Sequence, residues 1–361
     1  MFTIEMLPAG PGDCLWIEYG TAQNPRRILI DGGASPSASS ELRRRTRALG
    51  QAAHFELLVI THVDDDHIDG ILGLLSDTQS QATFGEVWFN DRIDHAGGAA
   101  PVSVGQGNRL SRLLLNQNQP WNVAFGGRGV AIEPTGRLPV LNLAGNMRVT
   151  LLSPGVGELK ALRDVWPEAV AGTALAGPDS PPLPPGIAAV RTCPPVNLLG
   201  NLAAIAARPF SEERTETNAS SIGVLLEYHG RRLLLGADAR ADVLARNLRR
   251  LSRQRAETPF RVDAYKVAHH GSENNTSNDL LSTIACPAYL FSTNGRQGFC
   301  HPHEPAIARM VLNQPNARLE FNSESDASRP WRDPMLRAEG RGYVPVYPTD
   351  RASQAIAIRR T

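Results

Sequence analysis

Thr61-His62-Val63-Asp64-Asp65-Asp66-His67 constrains this chain more than any other stretch, because it sets two histidines and three aspartates between a strand and a helix. The run before it, Phe55-Glu56-Leu57-Leu58-Val59-Ile60, is short, branched and nearly uncharged, the pattern of a core strand. The run after it places Ile68, Ile71, Leu72 and Leu75 on one helical stripe. Unpaired carboxylates beside a core strand repel one another and lose hydration. An N-cap with an acidic first turn accounts for one or two of the aspartates. It leaves both histidines idle. A bound cation resolves the repulsion, and imidazole with carboxylate is a ligand set for zinc, manganese or iron.

With 361 residues the chain is long enough for one large α/β domain with insertions or for two ordinary domains. A hydrophobic content of 42% supplies a sizeable core, and a formal charge of +1 supplies no overall field for nucleic acid. Any such attraction must be local. Cys14, Cys193, Cys286 and Cys300 lack CxxC spacing, so no thiolate zinc knot or disulfide framework is indicated. That fits a reducing compartment, with the even count leaving room for one bridge. The first residues show no basic region followed by a long apolar segment, and no run reaches the roughly 18–20 apolar residues of a membrane span. The expectation is a cytoplasmic protein without a membrane partner.

Strands are expected at Phe2 to Leu7, Cys14 to Tyr19 and Arg27 to Ile30, the last ending in Asp31-Gly32-Gly33. Asp31 alone reads equally as a support for a site or as a turn cap. A basic helix follows from Ser39 to Gln51, and Val87 to Phe89 is a further strand before a loop with Asp91, Asp94 and His95 at a rim. From there to about residue 215 order is poorer, with a proline-rich run at 178–185. The expected organisation is a single domain over 1–361 with insertions at about 90–145 and 155–215. Order returns with a hairpin, Ser220 to Tyr228 and Arg232 to Leu235, that ends in Gly236-Ala237-Asp238. An arginine-rich helix follows, with Arg240, Arg246, Arg249, Arg250, Arg253 and Arg255 as the best basic patch, read as a solvated face before a nucleic-acid surface. A strand over Val262 to Ala268 delivers His269-His270-Gly271-Ser272, and Asn294-Gly295 opens a loop with His301-Pro302-His303.

Four separate strand ends thus carry ligand-type residues, and a sheet that turns them to one edge gathers a two-metal site. His62-Val-Asp64-Asp65-Asp66-His67 resembles the metal motif of the metallo-β-lactamase superfamily. Asp238 after an apolar strand, Lys266-Val-Ala-His269-His270-Gly-Ser272, Asn294-Gly and His301-Pro-His303 resemble the soluble hydrolase domain of ComEC-type competence proteins, as do Gly12-Asp13 and Ile28-Leu-Ile-Asp31-Gly-Gly33. The resemblance covers about residues 1–90 and 215–320. It implies an αββα sandwich of two mixed sheets flanked by helices.

The resemblance also implies roles. His62 and Asp64 would hold one divalent ion, Asp66 and His67 a second, with Asp238 bridging and His269 completing the second site. His270 and Ser272 would stand behind the ions or face substrate, the choice between the adjacent histidines being open. Asp31, Asn218, Ser272 and Asn294 are candidates for substrate contact or support, and Asp66, His270, His301 and His303 for catalysis. Many superfamily members have histidine where Asp64 and Asn218 stand, so this site is richer in oxygen, which suits Mn2+ or labile Zn2+.

Two ions about 3.5–4 Å apart would generate a bridging hydroxide and stabilise charge on a phosphoryl or carbonyl oxygen. The expected activity is metal-dependent hydrolysis of a phosphodiester, in nucleic acid or a nucleotide. The alternatives are a lactone or thioester hydrolase, and a non-catalytic metal-stabilised component of a larger complex.

Overall fold

The computed structural model describes residues 1–34, 36–91, 105–172, 198–295, 300–348 and 355–359. Asp94 and His95 of the expected rim loop, the proline-rich run and Cys193 lie outside them. The chain opens with β1 (Phe2–Met6), β2 (Leu15–Gly20), β3 (Pro25–Ile30) and the helix α1 (Pro36–Leu49). A short β4 (His54–Phe55) precedes β5 (Leu57–Ile60), whose tip runs through the central motif into α2 (Asp65–Leu75). Next come β6 (Thr83–Phe84), β7 (Val87–Phe89) and α3 (Gln106–Asn116). β8 (Val140–Leu143), β9 (Met147–Ser153) and α4 (Val156–Gly172) lead to the short helices α5 (Leu202–Ala206) and α6 (Glu216–Ala219). The hairpin β10 (Gly223–Tyr228) and β11 (Arg231–Leu235) feeds α7 (Ala241–Arg255), β12 (Phe260–Arg261) and β13 (Ala264–Lys266). α8 (Asn278–Ser282), β14 (Ile284–Ala285), β15 (Ala288–Phe291) and α9 (Glu304–Asn313) follow. The chain closes with β16 (Arg318–Phe321), α10 (Pro334–Glu339), β17 (Val344–Val346) and β18 (Ala355–Ala357).

Two mixed sheets result, one ordered β18-β1-β2-β3-β5-β7 and the other β17-β16-β15-β13-β11-β10-β9-β8. Side-chain alternation shows how they stack. In β5, Leu57 and Val59 join the inner cluster with Val149, Leu151, Val224 and Leu226 of the other sheet. Leu58 and Ile60 point the other way, into a second cluster with Leu42 of α1, Ile68 and Ile71 of α2 and Leu110 of α3. Leu244 and Leu248 of α7 and Ile307 and Val311 of α9 extend the inner cluster over the far face of the second sheet. The layers are helix, sheet, sheet, helix: the αββα sandwich expected from the resemblance. A strand buried on both faces must be apolar throughout, and that is why β5 reads as an unbroken apolar run.

Pairing is parallel from β3 through β5 to β7, and again from β11 through β13 and β15 to β16 and β17. The C-terminal ends of these strands are where a crevice forms in an α/β sheet. Asp31 follows β3, the 61–67 motif follows β5, Asp238 follows β11, and His269-His270 follows β13. The β3 tip and α2 touch backbone to backbone, with Gly32 N donating to His67 O at 2.7 Å and Gly70 N to Gly33 O at 3.0 Å. A Cβ on Gly70 would stand 1.9 Å from Gly32 O, so only glycine permits this approach. Gly70→Ala is therefore expected to destabilise the chain by about 2–3 kcal/mol through overpacking. A thermal midpoint unchanged within a degree would contradict that.

The structure differs from the sequence expectations in four places. The strand expected over Val262 to Ala268 stops at Lys266, and Ala268–Gly271 forms a tight 3-10 turn in which His269 and His270 both have positive φ, 48° and 55°. β8 forms an edge strand within the insertion expected at about 90–145, and β18 pairs antiparallel with β1 although its three residues carry little strand signal. The arginine-rich helix α7 keeps the solvated face expected of it but is not an open basic patch. Arg240, Arg246, Arg249 and Arg255 pair with Asp242, Glu158, Asp279 and Glu227, and Arg250 donates to the carbonyls of Glu133 and Gly136. Finally, Cys14 and Cys286 are free but Cys300 is disulfide-bonded, realising the bridge that the even count left open. Among the described residues no helix is long and apolar enough to cross a membrane.

Candidate metal centre

Asp64 takes the N-cap position of α2 without a side-chain capping bond. Its carboxylate instead stands 3.6 Å from His62 Nε2 and accepts from Thr217 Oγ1 at 3.5 Å. Capping therefore does not account for the aspartate best placed to provide it. Asp65, in the first turn, has its carboxyl pushed up to about 6 by burial and then by Asp69, Asp64 and Asp66.

Four imidazoles converge on one carboxylate oxygen. Asp238 Oδ2 lies 3.9 Å from His62 Nε2, 3.5 Å from His67 Nε2, 3.7 Å from His269 Nε2 and 3.6 Å from His270 Nε2. Each ring is fixed through its other nitrogen. His67 Nδ1 donates to Asp31 Oδ2 at 2.7 Å, and His270 Nδ1 donates to the Ser292 carbonyl at 2.9 Å. Thr61 Oγ1 spends its proton on Asp31 Oδ2 at 2.7 Å, so it accepts from His62 Nδ1 at 3.0 Å. Asn275 Nδ2 donates to the carbonyls of Asp238 and Ala239, which leaves Asn275 Oδ1 to accept from His269 Nδ1 at 2.9 Å. The network thus assigns every Nδ1 as the donor and turns four Nε2 atoms inward, the arrangement that hydrogen-bond partners behind the ring impose on metal-binding histidines.

The buried Nε2 atoms of His62, His67 and His270 and Oδ1 of Asp238 have no hydrogen-bond partner. Buried polar atoms left unsatisfied are costly, and several together facing a common point fit a cation. His62, His67 and Asp238 form one group whose donor atoms lie within 4.8 Å of one another; Asp66, His67 and His270 form a second; and Asp13 joins Asp238 and His270 in a third. Donors sharing a tetrahedral zinc stand about 3.4 Å apart, close to the separations seen here. Without an ion, these groups bear on one another strongly. Burial alone would lower His67, but Asp238, Asp66 and Asp31 outweigh it and hold the ring well above its ordinary range. His270 rises to about 9 against the same burial, chiefly through Asp238 and Asp13. Burial alone would raise Asp238, yet His270, His269 and His67 hold it well below the carboxylate range.

The structure places the other expected residues as follows. His270, not His269, groups with Asp66 and His67, its Nε2 3.5 Å from Asp66 Oδ2. Both histidines lie beyond the end of the strand, in a left-handed turn that brings each Nε2 within 3.7 Å of Asp238 Oδ2. Asp31 is fully buried against Thr61 and His67 and faces no solvent. Asn218 is buried with Oδ1 unpaired, and Thr217 beside it reaches Asp64. Ser272 caps its own turn, its Oγ accepting from Asn274 N at 3.2 Å, while Asn294 is exposed and its amide donates to Gly10 O. His301 is buried with its ring 5.1 Å from His269 and 4.7 Å from His303. Burial, then His269, His303 and His270, hold His301 well below its ordinary range, so it is neutral. His303 Nδ1 accepts from Glu273 N at 3.1 Å, which leaves the ring N–H on Nε2.

Sequence reasoning missed Glu213 and Asn275 on His269, and the buried Asp13–Lys266 ion pair 3.5 Å from His270. Nothing local marks Glu213 or Asn275. A lysine in an otherwise apolar strand was a usable signal, because a buried ammonium requires an acid partner.

The fold and these side-chain groups define an α/β sandwich able to hold metal ions at the ends of its parallel strands. No protein-family model and no curated protein matches the chain. Among solved structures it is similar to zinc-bound PqqB from Methylobacterium extorquens, at 13% identity and TM-score 0.45, over 99% of this chain and 100% of that one. It is also similar to a mutant of the CmlA beta-hydroxylase, at 11% identity and TM-score 0.40, over 98% of this chain. This chain spans 53% of the length of that second structure. Overlaps this loose define neither a family nor a reaction.

Proposed function

We propose that the chain is a metal-dependent phosphodiesterase with two divalent ions, Zn2+ or Mn2+, in the cleft around Asp238. The observation that carries this reading is the set of four inward Nε2 atoms about a single carboxylate oxygen. His62, Asp64 and His269 would hold one ion and Asp66, His67 and His270 the other, with Asp238 within reach of both sets. When bound, the ions supply an activated water and positive charge for the phosphoryl oxygens. The chain's own residues do the rest. Asp31, Thr61 and the Ser292 carbonyl orient three of the imidazoles. His303 donates a hydrogen bond from Nε2–H to the leaving oxygen, which takes its proton from solvent water, and neutral His301 fills the space between His303 and His269. The phosphodiester preference follows the sequence resemblance. Within it, the ion-paired arginines of α7 favour a nucleotide or small diester over a long nucleic acid, since they leave little charge to track a polymer backbone.

Gently purified protein is expected to carry about two transition ions per chain by mass spectrometry and to hydrolyse bis-nitrophenyl phosphate. Chelation should abolish the activity, and Zn2+ or Mn2+ should restore it. Metal-free wild type would sink the proposal, and much faster turnover of a lactone or thioester would replace the diester.

A further inference from the structure

We infer that Glu213 is a positioning residue of the metal centre, holding His269 so that its Nε2 faces Asp238; this rests on the metal-centre reading above. Glu213 lies just before α6, in the stretch that the sequence treats as an insertion around the core. It is buried, and its amide donates to Asn274 O at 3.1 Å, tying this segment to the loop that follows the two histidines. Its two carboxylate oxygens have separate tasks. Oε1 accepts from Arg214 N at 2.8 Å, Thr215 N at 2.9 Å and Thr215 Oγ1 at 3.1 Å. Oε2 is left for His269 Nδ1, 3.2 Å away.

His269 needs such a partner more than the other three rings do. Its side chain is 20% exposed, against 0%, 0% and 2% for His62, His67 and His270, so water competes for its Nδ1 proton. Its backbone is in the left-handed region and no strand or helix sets the ring direction. Two acceptors do that instead: Asn275 Oδ1, whose amide is locked by two carbonyls, and the charged Oε2 of Glu213. A carboxylate on the far nitrogen keeps the metal-facing nitrogen bare and makes the imidazole a stronger donor.

Glu213→Gln separates this role from that of capping the turn. The glutamine oxygen stays with the three donors of residues 214 and 215, and its NH2 group then faces His269 Nδ1. Donor meets donor, and the ring swings away or moves its proton to Nε2. Zn2+ titrated into metal-free protein against a chromogenic chelator should show the weaker of the two sites losing about 10–100-fold in affinity. The visible absorption of the Co2+-loaded protein should change, while the thermal midpoint of the metal-free protein stays within a degree or two of wild type. Unchanged Zn2+ affinities and an unchanged Co2+ spectrum would reduce Glu213 to a turn cap and overturn the inference. So would equal weakening of both sites together with a fall in metal-free stability. Wild type that takes up no Zn2+ overturns this inference and the metal-centre reading together, whereas a normal wild type with an indifferent variant overturns this one alone.

Discussion

Replacing Asp238 by Asn is expected to lower diester hydrolysis by about 10²–10³-fold or more, the loss seen when one preorganised electrostatic contact is removed from an active site. It should also abolish uptake of one of the two ions. The reason is geometric. Asp238 Oδ2 is the one atom that stands within 3.9 Å of all four inward imidazole nitrogens, so no other side chain is shared in this way among the described residues. The amide keeps the shape, but it carries no charge and can turn an N–H group towards the position that a cation would take. Metal content by mass spectrometry and the rate on bis-nitrophenyl phosphate are the readouts. Two ions retained, with a rate within about five-fold of wild type, would remove Asp238 from the centre of the site and with it the proposed mechanism.

Lys266→Met is expected to cost about 3–5 kcal/mol of stability at neutral pH, the usual penalty for removing one partner of a buried ion pair. Lys266 and Asp13 are both within 1% of full burial and bond directly to each other. Burial alone would push the Asp13 carboxyl up, but Lys266 foremost, then His270, hold it down at about 2. Because that is below the ordinary carboxylate value of 3.8, the stability from this group is complete above about pH 4 and is lost as pH falls towards 2. In the variant Lys266 no longer offsets burial, so the carboxyl rises from its wild-type value. The deficit is then largest at neutral pH and shrinks as the solution is acidified, because protonated Asp13 is tolerated without its partner. Urea unfolding midpoints between about pH 4 and 7 test both points, and adding Asp13→Asn to Lys266→Met should recover much of the loss. A single variant within about 1 kcal/mol of wild type throughout would mean that water reaches the pair.

These expectations differ in how far ahead of the structure they were visible. β5 and α2 were legible because a strand buried on both faces and a helix with one apolar stripe leave distinct periods in the sequence. Asp31 and Asp238 were legible as strand tips, acidic residues standing where an apolar run stops. The end of β13 was not. Val267 and Ala268 continue the apolar character of the strand, but pairing with β11 and β15 ceases at Lys266, and a left-handed turn follows. Hydrogen bonding to neighbouring strands decides where a strand ends, and those neighbours are distant in sequence. The same holds for α7, whose arginines look like a basic face until Glu158, Glu227 and Asp279 are folded against them.

By itself the sequence determined the kind of chemistry available: histidines and aspartates clustered at the tips of apolar strands, at a density that neither core packing nor helix capping requires. Local periodicity also determined the central strand–turn–helix unit, since each of its parts buries a face that neighbouring residues specify. Only the tertiary structure decided which nitrogen of each histidine faces inward, that His270 and not His269 groups with Asp66, and that Glu213 and Asn275 stand behind His269. Those outcomes depend on hydrogen bonds between side chains, backbone groups and loops brought together by the stacking of two sheets. A short polar side chain carries no periodic signature of its eventual partner, so such contacts exist only once the chain has folded.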